Sequence, residues 1–127
     1  MKEKTVFIVS DSGHDYSTAQ RLGRLKFLYT GKINAFASDK LIKDLHRQLE
    51  NSTAQDYLLP SGNSLATCSA FSILLNKHGI VNILIYSFRN KYFEVRSITK
   101  SQIYKDAGAQ AILRELNIDL DSVGNRV

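Results

Sequence analysis

Two short polar segments carry the side chains of this chain best suited to chemistry: Asp11-Ser12-Gly13-His14-Asp15-Tyr16 and Ser61-Gly62-Asn63-Ser64. The first offers carboxylates, an imidazole, a hydroxyl and a phenol, groups that orient a polar ligand or move protons. The second follows Tyr57-Leu58-Leu59-Pro60 and opens an apolar helix, so it lies where unpaired backbone N–H groups face outward. Strand-to-helix turns of this kind receive phosphate or carboxylate in many α/β proteins. Gly, Ser and Asn also suit capping for its own sake, so the turn marks a place before it marks a ligand.

Read for anion binding, Ser61, Gly62, Asn63 and Ser64 hold a phosphate while Asp11, Ser12, His14 and Asp15 orient the rest of a phosphorylated small molecule or nucleotide. Arg21, or else Arg24, would swing to the same rim as the countercharge. Read as a phosphoester hydrolase, the candidate catalytic residues are His14 as general acid or base and Asp15 as its orienting carboxylate. Adjacent residues of an extended loop tend to point apart, which weighs against that dyad. A metal on Asp11, His14 and Asp15 would need converging ligands, and spacing assigns none; no cofactor is indicated.

Gly62 is not followed by the spacing of a phosphate-binding P-loop, and no dinucleotide glycine fingerprint is present. Neither Ser12 nor Ser61 sits in a Gly-x-Ser-x-Gly elbow. Cys68 reads as a small core residue, His46 as part of a solvated basic face, and His78 as a cation suited to a helix C-terminus.

A chain of 127 residues, 43% hydrophobic and 23% charged, has the composition of one globular α/β domain spanning 1–127. Its formal charge of +5 attracts nucleotides, nucleic acid or acidic surfaces, although the Lys and Arg residues are dispersed rather than gathered in an arm. A nucleic-acid reading would use Lys40, Lys43 and Arg47 on one helix, Arg89, Lys91 and Arg96 on a hairpin, and Tyr86 or Tyr92 for stacking. The single cysteine, Cys68, excludes an intrachain disulfide and agrees with a reducing compartment. The apolar run from Val6 to Val9 is too short for a signal core or a membrane span, so the expected location is cytoplasmic with no membrane partner.

These residues must be positioned by regular elements. Thr5 to Ser10 reads as a buried strand, Tyr16 to Leu25 as a short helix carrying Gly23, and Lys26 to Thr30 as a second strand. Lys32 to Phe36 either pairs as a hairpin or leads into a helix capped by Ser38 and running to about Glu50, with Leu41, Ile42, Leu45 and Leu49 on one face. Asp56 to Leu59 is the third strand. The helix from Asn63 or Ser64 to His78 ends at Gly79 and is apolar nearly all round, which predicts a central position or burial by a second subunit. Val81 to Phe88 and Tyr92 to Ile98 form a hairpin around Arg89-Asn90-Lys91, equally able to be an oligomer edge. Thr99 to Ser101 cap a last helix to about Leu116, and the tail from Asn117 to Val127 docks through Ile118, Leu120 and Val123.

Strands alternating with helices, then a hairpin and a helix, imply an α/β three-layer sandwich, Rossmann-like, with a mostly parallel sheet and a C-terminal antiparallel hairpin plus helix. In such a sheet the first and third strands would bring both polar loops to one rim. A homo-oligomer follows from the apolar helix, and an oligomeric interaction module is the reading that needs neither loop.

The runs Gly13-His14-Asp15-Tyr16-Ser17, Tyr57-Leu58-Leu59-Pro60-Ser61-Gly62-Asn63 and Val81-Asn82-Ile83-Leu84-Ile85-Tyr86 resemble small proteins carried by phages and mobile elements. That resemblance implies a role in host takeover or counter-defence, including sequestration of a nucleotide signal, and it carries over no catalytic residue.

Overall fold

The computed structural model describes residues 3–31 and 37–104. Its elements are β1 (Thr5–Ser10), a 3-10 helix (Ser17–Arg21), β2 (Arg24–Tyr29), α1 (Ser38–Gln48), β3 (Tyr57–Leu59), α2 (Ser64–His78), β4 (Ile80–Ser87) and β5 (Tyr92–Thr99). The chain is helical again over 100–104. The segment from Lys32 to Phe36, the rest of the last helix and the C-terminal tail lie outside the described residues.

The strands form one sheet in the order β2-β1-β3-β4-β5, parallel except for β5, which returns antiparallel to β4. The expected α/β sandwich with a C-terminal hairpin is therefore present. All six residues of β1 are buried. Its continuous apolar run has that cause: Phe7 and Val9 pack with Leu41, Leu45, Leu58, Ala66, Ala70 and Leu74 under α1 and α2. Val6 and Ile8 pack on the opposite face with Tyr16, Ala19, Leu59, Leu84 and Phe93. A strand covered on both faces has no need to alternate.

The short helix is shorter than expected from Tyr16 to Leu25, because Gly23 must pass against the start of β1. A Cβ at Gly23 would lie 2.4 Å from the Lys4 carbonyl, and Arg24 N–H donates to that carbonyl at 2.9 Å. The chain thus joins the sheet at Arg24, where Thr5 is its partner. Ser38 is not the cap of α1: Ala37 holds that position without a side-chain bond, and Ser38 is the first helical residue. The helix is held by its buried Leu41 and Leu45 and by Gln48 Nε2, which donates to the Leu28 carbonyl at 2.6 Å.

At α2 both ends match their residues. Asn63 Oδ1 accepts from Ala66 N–H at 3.0 Å, and Gly79 closes the helix with a φ of 76°. The helix is not central. It lies on one face, where Ala66 and Ala70 let it approach closely enough for Phe71 and Ile73 to reach the core on its flanks. Leu65 remains 38% exposed, and Cys68, read as a core residue, is exposed as well. His78 lies in the last turn of α2 with its ring turned to Ser52. Its Nε2 lies 2.8 Å from Ser52 Oγ, which itself donates to the Leu49 carbonyl, and burial together with Lys77 holds its pKa below the ordinary value. Lys77, in the same turn, reaches across and donates to the Leu49 and Glu50 carbonyls at the end of α1.

Candidate functional site

β1 and β3 are parallel neighbours, with Ile8 beside Leu59, so their carboxyl ends share one rim. From β1 the chain passes to β2 on one side; from β3 it passes to β4 on the other. Open α/β sheets hold ligands at this reversal of strand order.

The two polar loops meet there. Ser10 donates to the Ser61 carbonyl twice, from N–H at 3.1 Å and from Oγ at 2.8 Å. Ser12 Oγ lies 2.7 Å from Ser61 Oγ, and the Tyr16 hydroxyl lies 2.8 Å from Ser61 Oγ and 2.9 Å from Ser12 Oγ. Ser12 N–H also donates to the Tyr16 oxygen at 3.0 Å. Each hydroxyl has one proton and spare lone pairs, so the triangle closes with every member donating and accepting. Burial pushes the Tyr16 phenol up, but the bonds from Ser12 and Ser61 outweigh it and hold the pKa below the ordinary value.

The first loop is shaped by its own carboxylates. Asp11 Oδ1 accepts from Gly13 N–H at 2.9 Å, and Asp15 Oδ1 accepts from Ser17 N–H at 2.9 Å. Both are Asx turns, and Gly13 leaves the first with a φ of 85°, a conformation glycine adopts without strain. The Ser17 bonds hold the Asp15 carboxyl below its usual range. His14 instead sets its ring edge-on to Tyr16, with centroids 6.4 Å apart. Asp15 serves Ser17 and His14 serves Tyr16, so the loop does not join them as an acid–base dyad.

In the second loop Gly62 has a φ of 85°, and a Cβ there would lie 1.8 Å from Ser10 Oγ. Its glycine is explained by backbone geometry and by Ser10. The Asn63 side chain is committed to the α2 cap.

A cleft of about 510 Å³ opens beside the triangle on the face that carries the 3-10 helix. His14, Asp15, Tyr16 and Ser61 line one end of it. The other end is apolar, with Leu84, Ile85 and the aromatic rings of Tyr86, Phe88 and Phe93. Tyr86 packs edge-to-face on Phe88 at 5.2 Å and on Phe93 at 5.1 Å. Phe88, at the hairpin tip, is 86% exposed.

Of the residues expected at the site, His14, Asp15 and Ser61 line this cleft, and Ser12 braces it through Ser61. Asp11 shapes the loop, while Gly62, Asn63 and Ser64 turn the chain into α2 and do not line the cleft. Arg21 is not turned to the rim: its guanidinium donates to the Phe93 carbonyl and lies 5.0 Å from the Tyr92 ring. Phe88 and Phe93 escaped the reading by residue type. For Phe88 the available signal was an aromatic residue directly before a tight polar turn, where burial does not account for it; Phe93 reads as an ordinary buried strand residue.

Lys40, Lys43 and Arg47 lie exposed on α1, which is tied to the β2 edge by Tyr29 and Gln48. The basic hairpin residues lie at the other edge, where Arg96 pairs with Glu94 at 3.2 Å. The two basic groups therefore do not form one surface. Among the described residues no cluster of His, Cys, Asp or Glu is arranged to hold a metal ion, and no helix is long and apolar enough to cross a membrane.

Neither curated proteins nor solved structures offer a match to the chain. A family model, that of the Phage Pam3 gp32-like protein, matches residues 4–98. The match runs from the residue before β1 almost to the end of β5 and includes both loops of the rim. The chain therefore belongs to the Phage Pam3 gp32-like protein family.

Proposed function

We propose that the protein binds a nucleotide or a related phosphorylated small molecule at the rim between β1 and β3, with the ring system of the ligand in the aromatic end of the cleft. The observation that carries this reading is the cleft itself. Its volume of about 510 Å³ suits a ligand of that size, and it joins stacking surfaces to a polar end at the reversal of strand order. Tyr86 and Phe88 offer faces and edges to a base, while Ser61, Tyr16 and His14 offer hydrogen bonds to sugar or phosphate. The charge of +5 draws an anionic ligand towards the protein.

A phage family supports an accessory role, in which binding without turnover withholds a nucleotide from the host. The arrangement of His14 and Asp15 favours binding over hydrolysis, because their side chains serve different partners.

Native mass spectrometry of the purified protein, followed by calorimetric titration with mono-, di-, tri- and cyclic nucleotides, tests the reading. One saturable site is expected, and Phe88→Ala should weaken it about tenfold with folding unchanged, since base stacking contributes roughly 1–3 kcal/mol. No saturable binding from any of these ligands would refute it. Turnover that is lost in His14→Ala would replace it with the hydrolase.

A further inference from the structure

β5 is the outer strand of the sheet, and among the described residues no strand pairs with its second side. The backbone groups on that side belong to odd-numbered residues. The Phe93 carbonyl accepts from Arg21, the Val95 carbonyl accepts from Arg96 Nη1 at 2.9 Å, and Thr99 N–H donates to Gln102 Oε1 at 3.0 Å. Lys100 N–H, next in sequence, turns the other way to the Gly79 carbonyl. Backbone groups alternate sides along a strand, so Phe93, Val95 and Ser97 turn outward while Glu94 and Arg96 bond towards β4.

The strand reads Tyr92-Phe93-Glu94-Val95-Arg96-Ser97-Ile98. Laid antiparallel on itself about Val95, it sets Glu94 opposite Arg96, Tyr92 opposite Ile98 and Phe93 opposite Ser97. We propose that β5 pairs antiparallel with β5 of a second copy of this chain, on a two-fold axis through Val95, so that one sheet runs through both copies. In this register the outward groups of Phe93, Val95 and Ser97 form the hydrogen-bonded pairs. Glu94 and Arg96 fall at the non-hydrogen-bonded positions, where opposed side chains come closest.

Charge selects that register. The neighbouring alignments that also match outward groups place Glu94 on Glu94 or Arg96 on Arg96, and like charges directly opposite are unfavourable. In the single chain Arg96 instead bends back to its own Glu94 at 3.2 Å, an exposed pair of little worth. The ladder between β4 and β5 is continuous from Ile80 and Thr99 to Ser87 and Tyr92, without a bulge to protect the edge. Tyr92 and Val95 are 41% and 37% exposed on it. Arg21 and Arg96 cover the Phe93 and Val95 carbonyls in the free chain and swing aside on pairing.

Sedimentation velocity on the full chain across a wide concentration range reads the association, with circular dichroism as the check on folding. The wild type should dimerise. Glu94→Arg and Arg96→Glu should each weaken the dimer about tenfold or more, and the double swap E94R/R96E should restore it. A wild type that stays monomeric overturns the proposal, as does a dimer indifferent to either single reversal. None of these readouts depends on nucleotide binding.

Discussion

The Ser10 hydroxyl occupies the space in which a side chain at Gly62 would begin: a Cβ there would lie 1.8 Å from Ser10 Oγ. Ser10 Oγ is held in that place by its bond to the Ser61 carbonyl at 2.8 Å. The close approach of β1 to the β3–α2 turn thus penalises any larger residue at position 62, whether or not a ligand binds.

Gly62→Ala should therefore destabilise the protein by about 2 kcal/mol or more, through both the positive φ and the clash. Urea unfolding measures the cost. Adding Ser10→Ala should return part of it, so that the double mutant is less damaged than the sum of the singles. A Gly62→Ala protein as stable as the wild type would show that the turn relaxes freely.

Tyr16 and Tyr29 should bracket the tyrosine titration. Tyr16 ionises below the ordinary value because Ser12 and Ser61 stabilise the phenolate, whereas burial and Asp44 push Tyr29 up to about 12. Absorbance titration should show an early step lost in Tyr16→Phe and a late step lost in Tyr29→Phe. The linked stabilities have opposite signs. Above pH 10 the depressed Tyr16 contributes stability that is lost as pH falls, while the contribution of Tyr29 is full below pH 10 and is lost as pH rises towards 12. Tyr16→Phe should also cost about 1–2 kcal/mol at neutral pH, since it removes the centre of the hydroxyl triangle and keeps the ring.

His78 links stability to mild acid. Its folded pKa is below the unfolded value of 6.5, so the unfolded chain takes up the proton first as pH falls. Stability should be full above pH 6.5 and decline as pH drops through the folded pKa. Thermal melts between pH 7.5 and 5, roughly the range of ordinary histidine titration, should show a decline that His78→Gln flattens. Parallel profiles for the two proteins would contradict the assignment.

Asp56 anchors the start of β1. It is 8% exposed, and its carboxylate accepts from Thr5 N–H at 2.9 Å and from Thr53 N–H at 2.8 Å. Asp56→Ala leaves the buried Thr5 donor unpaired and should cost about 2–3 kcal/mol in urea unfolding. The exposed Asp39→Ala on α1 should stay within about 0.5 kcal/mol.

Much of this architecture is written in local residue patterns. Asn63 and Gly79 delimit α2 because a cap and a left-handed residue act within one turn of their own backbone. The hairpin follows from two β-rich runs around a short polar turn, and the burial of β1 follows from its unbroken apolar run. General rules for α/β chains brought Ser12 and Ser61 to one rim, since parallel neighbours end on the same side. What only the tertiary structure decided depends on contacts between residues far apart in the chain. The space left at Gly62 is set by Ser10, the partner of Arg21 by β5, and the role of His78 by Ser52. The aromatic end of the cleft exists because β4 and β5 fold Phe88 and Phe93 towards a loop more than seventy residues earlier. Residue type fixes what a side chain is able to do, but long-range packing selects the neighbour it does it with.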